Sequence, residues 1–150
     1  VIVVVDDDAI VEVAIGPAAE AGGRHGGGVP TRRTPIGDEA LTQLEEYFEG
    51  RRRDFDLPVR LVGTPFRRAA WEALRTIPFG STISYGEQAA RMGRSGAARA
   101  VGGANGANPI PIVIPCHRVV GADGSLTGYT GGLHIKSWLL DHERRVAAIS

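Results

Sequence analysis

One cysteine, Cys116, occurs in 150 residues; neither sign of charge is in excess, and long apolar runs are missing. A lone thiol excludes a disulfide framework and a multi-cysteine metal site, and it points to a reducing compartment, here the cytoplasm. His25, His134 and His142 are not arranged with Cys116 as a metal-ligand set, so no metal is expected. No stretch approaches the roughly 20 apolar residues of a membrane helix. No charged-then-apolar leader opens the chain, so no secretory signal is expected. Net charge is zero, yet its distribution is uneven. Up to Gly63 there are seven basic and twelve acidic residues; from Thr64 onward there are ten basic and five acidic. A basic second half is compatible with a phosphate-bearing partner.

What is present is a 43% apolar content, sufficient for a core, and a readable order of elements. Val1–Val5 and Ile10–Ile15 flank Asp6-Asp7-Asp8 and read as a β-hairpin. Residues 16–30, rich in glycine and proline, read as a loop. Asp38 is placed to cap a helix through Glu49 with Leu41, Leu44 and Phe48 on one stripe, and Gly50 to stop it. Arg51-Arg52-Arg53 follows, read as a solvated face at the helix C-terminus in preference to a phosphate patch. Asp54–Val62 reads as linker or edge strand, with a domain boundary near Gly63. Thr64-Pro65 combines an N-cap with a first-turn proline, opening a helix that carries Trp71 toward the core. Ser84 and Glu87 have capping-box spacing. Two short helices, the second over about residues 96–104, are joined by Gly93-Arg94-Ser95 into a helix-turn-helix. A last helix is expected over residues 133–146. The fold class is therefore α/β (α+β). A small N-terminal hairpin/helix domain, residues 1–63, precedes a mainly helical C-terminal domain, residues 64–150, with the cysteine placed after a short strand.

Cys116 follows the apolar run 110–114, read as that strand, and His117 is its immediate neighbour. A thiol beside an imidazole can lose its proton, and the thiolate is the nucleophile. Arg99-Ala100-Val101-Gly102-Gly103-Ala104 is unusual for a helix, because each interior glycine costs roughly 1 kcal/mol relative to alanine. Side chains that read the major groove are nearly absent from it. A smooth helix of this kind suits close backbone approach, as in minor-groove contact, with Arg99 the single long cation.

At this point the residues resemble a known family. Asn108-Pro109, Pro115-Cys116-His117-Arg118-Val119 and Gly128-Tyr129-Thr130-Gly131-Gly132-Leu133 stand in the order and spacing of the O6-alkylguanine-DNA alkyltransferases. The likeness runs from about Gly63 to Glu143 and includes Gly63-Thr64-Pro65-Phe66, Ile83-Ser84-Tyr85-Gly86 and Ala98-Arg99-Ala100-Val101-Gly102. It implies direct repair of duplex DNA. A nucleotide bearing O6-alkylguanine is flipped out and its alkyl group moves irreversibly to Cys116, without a cofactor. It implies that His117 takes the thiol proton through a water, that Glu143 orients His117, and that Tyr85 donates to the departing base. By the same resemblance Asn108 braces the turn before the cysteine, and Tyr129 walls the base pocket. The Thr130 backbone N–H meets the guanine oxygen, and the Cys116 and Val119 carbonyls accept from the exocyclic amine. Arg99 would fill the space left by the base, with Ala100, Gly102, Gly103 and Ala104 against the DNA, and the protein would act as a monomer. The N-terminal third matches weakly; the family's opening strand has no counterpart, which implies truncation. Arg94-Ser95-Gly96 lacks a lysine common in the family, and Ala107 replaces a polar residue, which would weaken phosphate contact without touching the chemistry.

Three other readings stay open on the residues: a non-catalytic lesion-binding relative, a Cys-His-Glu thiol hydrolase, and a helix-turn-helix regulator. Cys116 itself speaks against the first. The absence of an oxyanion-hole signal speaks against the second, and the small side chains of the second helix against the third.

Overall fold

The computed structural model describes residues 1–15, 33–129 and 132–149; the loop expected over residues 16–30 lies outside them. Strands β1 (Ile2–Asp6) and β2 (Ala9–Ala14) form the expected antiparallel hairpin, turning at Asp7. The far edge of β2 is met by a single parallel bridge from Ile10 to Val59, so the 54–62 segment is an edge contact rather than a full strand. Val13 N also donates to Pro109 O at 2.9 Å, which ties the hairpin to the chain just ahead of the cysteine.

Helix α1 spans Pro35–Phe48. Its cap is Thr34, whose hydroxyl accepts from Gly37 N at 3.0 Å, and not Asp38. Thr34-Pro35 repeats the cap-then-proline pair of Thr64-Pro65, and that pair outcompetes an acidic residue inside the first turn. The longer helix turns Ala40, Gln43, Leu44 and Tyr47 inward and leaves Leu41 44% exposed, correcting the Leu41-Leu44-Phe48 stripe. Arg51 and Arg52 pair with Glu46, and Arg51 also with Glu49, so this basic run is a solvated ion-pair face.

Helix α2 (Pro65–Leu74) buries Ala70, Trp71 and Leu74. Trp71 lies in the core and donates from Nε1 to Ala104 O at 2.8 Å. A Cβ on Gly63 would fall 2.8 Å from that indole, so only glycine lets the chain pass here. Strand β3 (Ile83–Ser84) leads into α3 (Tyr85–Arg91), and α4 (Ala98–Gly106) completes the helix-turn-helix. Ser84 caps α3 at Glu87 N, 3.1 Å; the Glu87 carboxylate turns to Arg91, so only half of the capping box forms. Gln88 and Asn105 exchange amide hydrogen bonds of 2.9 and 2.8 Å, and Gln88 also donates to Ala70 O. This buried pair fixes α3, α4 and α2 to one another.

The apolar run before Cys116 is not a strand. Residues 110–114 form a tight turn in which Ile114 N donates to Ile110 O and Ile112 has φ of 74°. Pro109, Pro111 and Pro115 remove the N–H groups a ladder would need. Instead Asn108 satisfies the local backbone, accepting from Ile110 N at 2.9 Å and donating to Ile114 O at 2.8 Å. Cys116–Arg118 is a single 3₁₀ turn, and the strand, β4 (Val119–Val120), comes after it, parallel to β3. Helix α5 (Leu133–Ile149) closes the molecule, with Leu139 and Leu140 buried and Leu133 exposed. The mixed α/β architecture is the expected one. One apolar core, including Ile10, Leu44, Trp71, Leu74, Ile112 and Leu139, underlies the cysteine turn. Among the described residues no helix is long and apolar enough to cross a membrane.

Candidate active site

Cys116 opens the 3₁₀ turn with 9% of its surface exposed, its N–H held by Ile114 O at 2.8 Å. Burial pushes its thiol up; an Asn108 hydrogen bond and the Lys136 charge pull against that without overcoming it. The resting sulfur is therefore a protonated thiol that needs a base, not a standing thiolate.

His117 is fully buried. Its Nε2 lies 2.7 Å from Glu143 Oε2, and its Nδ1, also buried, has no hydrogen-bond partner. Burial lowers its proton affinity, while the Glu143 contact works in the opposite direction. The geometry sets the tautomer. Nε2–H donates to the carboxylate, and Nδ1 presents a lone pair inside the protein.

Glu143, 1% exposed, comes from α5 and is the hub. Arg118 clamps it from Nε to Oε1 at 2.9 Å and from Nη2 to Oε2 at 3.0 Å, while Gly80 N donates to Oε1 at 3.2 Å. Burial alone would raise this carboxyl; hydrogen bonds from His117 and Arg118 outweigh it and hold the group well below the usual carboxylate range. Arg118 spends its remaining arm on Ile77 O at 2.7 Å. Arg144 pairs with Asp141 at 3.5 Å, and the arginine on Glu143 is Arg118.

Tyr129 and Lys136 are near enough to Cys116 for their charges to interact with it. Tyr85 sits at the start of α3 and its hydroxyl accepts from Thr127 Oγ1 at 2.8 Å. Gly102 of α4 runs alongside that ring, which sets the second helix of the helix-turn-helix against Tyr85. Tyr129 has a half-buried ring and a buried hydroxyl without a partner. Burial pushes that phenol well up, and the charges of Cys116 and Glu143 push it further. The Val119 carbonyl accepts from Lys136 Nζ at 2.7 Å. Thr130 and Gly131 lie outside the described residues. On α4, Arg99, Ala100 and Gly103 are exposed and Gly102 half-exposed, but Ala104 is buried and gives its carbonyl to Trp71. Ala104 thus faces the core and not a DNA partner.

Three residues escaped the sequence reading. Arg118 stands inside the Pro115–Val119 motif, where its position in sequence implies no role. Lys136 is the only lysine of the chain and is fully buried, donating to Val119 O and Thr127 O beneath the Tyr85 ring; a single lysine among 17 basic residues was the available signal. Tyr47, far away in sequence, reaches Glu143 Oε2 at 2.7 Å. A cavity of about 220 Å³ opens behind the cysteine turn, lined by Arg53, Arg75, Pro78, Pro115 and Arg118 among others; Tyr85, Val119 and Tyr129 are not in its wall. Among the described residues no group of three His, Cys, Asp or Glu side chains could hold a metal ion.

Known proteins share this arrangement of fold and sequence. Residues 65–145 match the model of the 6-O-methylguanine DNA methyltransferase DNA-binding domain, and residues 3–61 match that family's ribonuclease-like domain. A methylated-DNA–protein-cysteine methyltransferase of Shigella flexneri is 57% identical over 102 residues, which is 67% of this chain and 60% of that protein; the match thus spans less than two thirds of the relative's length. Mycobacterium tuberculosis OGT, solved in complex with DNA, superposes with a TM-score of 0.85 at 42% identity, covering 96% of this chain and 86% of that one. An O6-methylguanine DNA methyltransferase from Methanococcus jannaschii gives 0.66 at 29% identity, covering 95% and 86%. With both family domains matched in order, the chain belongs to the 6-O-methylguanine DNA methyltransferase family.

Proposed function

We propose that this chain repairs alkylated DNA by moving the alkyl group of O6-alkylguanine onto Cys116, once per molecule. The observation that carries the reading is the His117 side chain: one nitrogen is anchored on an ionised buried carboxylate and the other is buried, unpartnered and next in sequence to the only thiol. The Cys116 proton leaves through a water to His117 Nδ1, and the imidazolium formed is stabilised by Glu143. The sulfur then attacks the alkyl carbon. A C–S bond forms, the C–O6 bond breaks, and the electron pair goes to the guanine, which Tyr85 neutralises by hydrogen bonding or proton donation. Because burial raises the thiol, the sulfur rests protonated and its attack needs the base. The product is a thioether that no group here reverses, and the DNA is the alkyl donor, so no cofactor enters.

The base reaches the sulfur only if the nucleotide is flipped from the duplex. Arg99 fills its place, Ala100, Gly102 and Gly103 lie against the groove, and Tyr129, Thr130 and the carbonyls of Cys116 and Val119 receive the guanine. The chain acts as a cytoplasmic monomer, divided at Gly63 into residues 1–63 and 64–150. The test is an intact mass after incubation with duplex DNA carrying O6-methylguanine. One methyl group per chain, mapped to the Cys116 peptide, with Cys116→Ala binding the DNA but unmodified, is the expected result. An unchanged mass together with multiple-turnover ester or amide hydrolysis would replace this reading with a thiol hydrolase.

A further inference from the structure

Tyr47 lies 96 residues from Glu143 in sequence and belongs to α1, ahead of Gly63, yet its hydroxyl donates to Glu143 Oε2 at 2.7 Å. That is the same oxygen, at the same distance, to which His117 Nε2 donates. The phenol has no exposed surface. Its ring is held by Phe48, Phe55, Phe79 and His142, with centroids 5.3 to 6.1 Å away. Its own carbonyl accepts from His142 Nε2 at 2.7 Å, one residue before Glu143. Helix α1 is therefore tied to α5 at His142 and at Glu143, and the aromatic cluster holds the hydroxyl in place.

Resting on the alkyl-transfer reading, we infer that Tyr47 is a positioning residue of the first segment that sets the orientation and basicity of His117 through their shared Glu143 oxygen. Arg118 already fixes and charges the carboxylate from two nitrogens, so holding Glu143 in place does not require a third side chain. What the phenol adds is competition. A donor on Oε2 draws negative charge away from His117 Nε2–H, and so favours the neutral imidazole whose Nδ1 accepts the thiol proton. The other groups bearing on His117 are Glu143 and Lys136 from α5 and Arg118 from the 3₁₀ turn, while the Tyr129 phenol is raised in turn by Cys116 and Glu143. Burial, and next the Glu143 charge, push the Tyr47 phenol far above its ordinary range, so it stays a proton donor wherever the protein is folded.

The test compares wild type with Tyr47→Phe, which keeps the ring cluster. Single-turnover methyl transfer is measured across pH, and the His117 imidazole resonances are titrated by NMR without DNA. The variant's acid limb should move to higher pH, with the His117 midpoint moving in parallel; a one-unit rise lowers the neutral fraction on the order of tenfold on the acid side. Site-specific Tyr47→3,5-difluorotyrosine, a stronger donor of similar shape, should move both in the opposite direction, and it answers the question even where Tyr47→Phe does not fold. Unchanged midpoints in the folded variants, or a rate loss equal at every pH, would overturn the inference and leave Tyr47 a packing residue. The DNA-free titration separates this from a failure of the alkyl-transfer reading, which would abolish methyl uptake in wild type itself.

Discussion

The Glu143 cluster and the outer face of α4 are built on opposite rules. Around Glu143, an arginine, a histidine and a tyrosine are taken out of water together, and all meet one carboxylate. On α4, Ala100 and Gly103 lie open beside Arg99 and carry almost no side chain. Proton transfer requires charges fixed within a few tenths of an ångström in a poorly screened interior, whereas approach to a duplex wall requires a smooth backbone and a cation. Damage to the first region should therefore appear in stability and rate, and damage to the second in salt-dependent affinity.

The sharpest way to break that contrast is Arg118→Met, which leaves the buried Glu143 carboxylate without its main cation. The expected cost is about 3–5 kcal/mol in urea unfolding. It should come with a changed acid dependence. A carboxyl lowered in the folded state contributes stability that is fully present above its unfolded pKa of ~4.3 and is lost as pH falls through the folded value, so the variant should lose less stability on acidification. Arg99→Ala should leave unfolding unchanged and weaken duplex binding across sequences, the loss growing smaller as salt is raised. An Arg99→Ala protein that unfolds more easily but binds as before would erase the distinction between the two regions. The smallest effect is expected at Gly103. Nothing lies within 4 Å of a Cβ there, so Gly103→Ala should gain about 0.5–1 kcal/mol in thermal or urea unfolding while reducing DNA affinity.

Legibility in the sequence divides along a similar line. Local signals were readable because they act within a turn of chain: the Thr64-Pro65 and Ser84 caps, and the adjacency of Cys116 and His117. The 110–114 run misled because five residues of apolar character do not distinguish a strand from a buried turn, although the flanking prolines argued for the turn. Thr34-Pro35 carries the same cap signal as Thr64-Pro65, but the acidic Asp38 four residues on competes with it as a cap candidate. Tyr47 and Lys136 could not be assigned a place by periodicity. Each is one buried position on an amphipathic helix, and its partner is chosen by how distant segments dock. Among the proposed groove residues, only burial separates Ala104 from its neighbours, and burial is a property of the assembled fold.

The account stands on His117 being held by Glu143 as the base for Cys116. Glu143→Gln retains the shape but removes the charge that stabilises the imidazolium. Single-turnover methyl transfer to this variant, measured with saturating O6-methylguanine duplex, should fall by roughly 10²-fold or more at neutral pH while DNA affinity is retained. A Glu143→Gln protein that accepts the methyl group as fast as wild type would contradict the account.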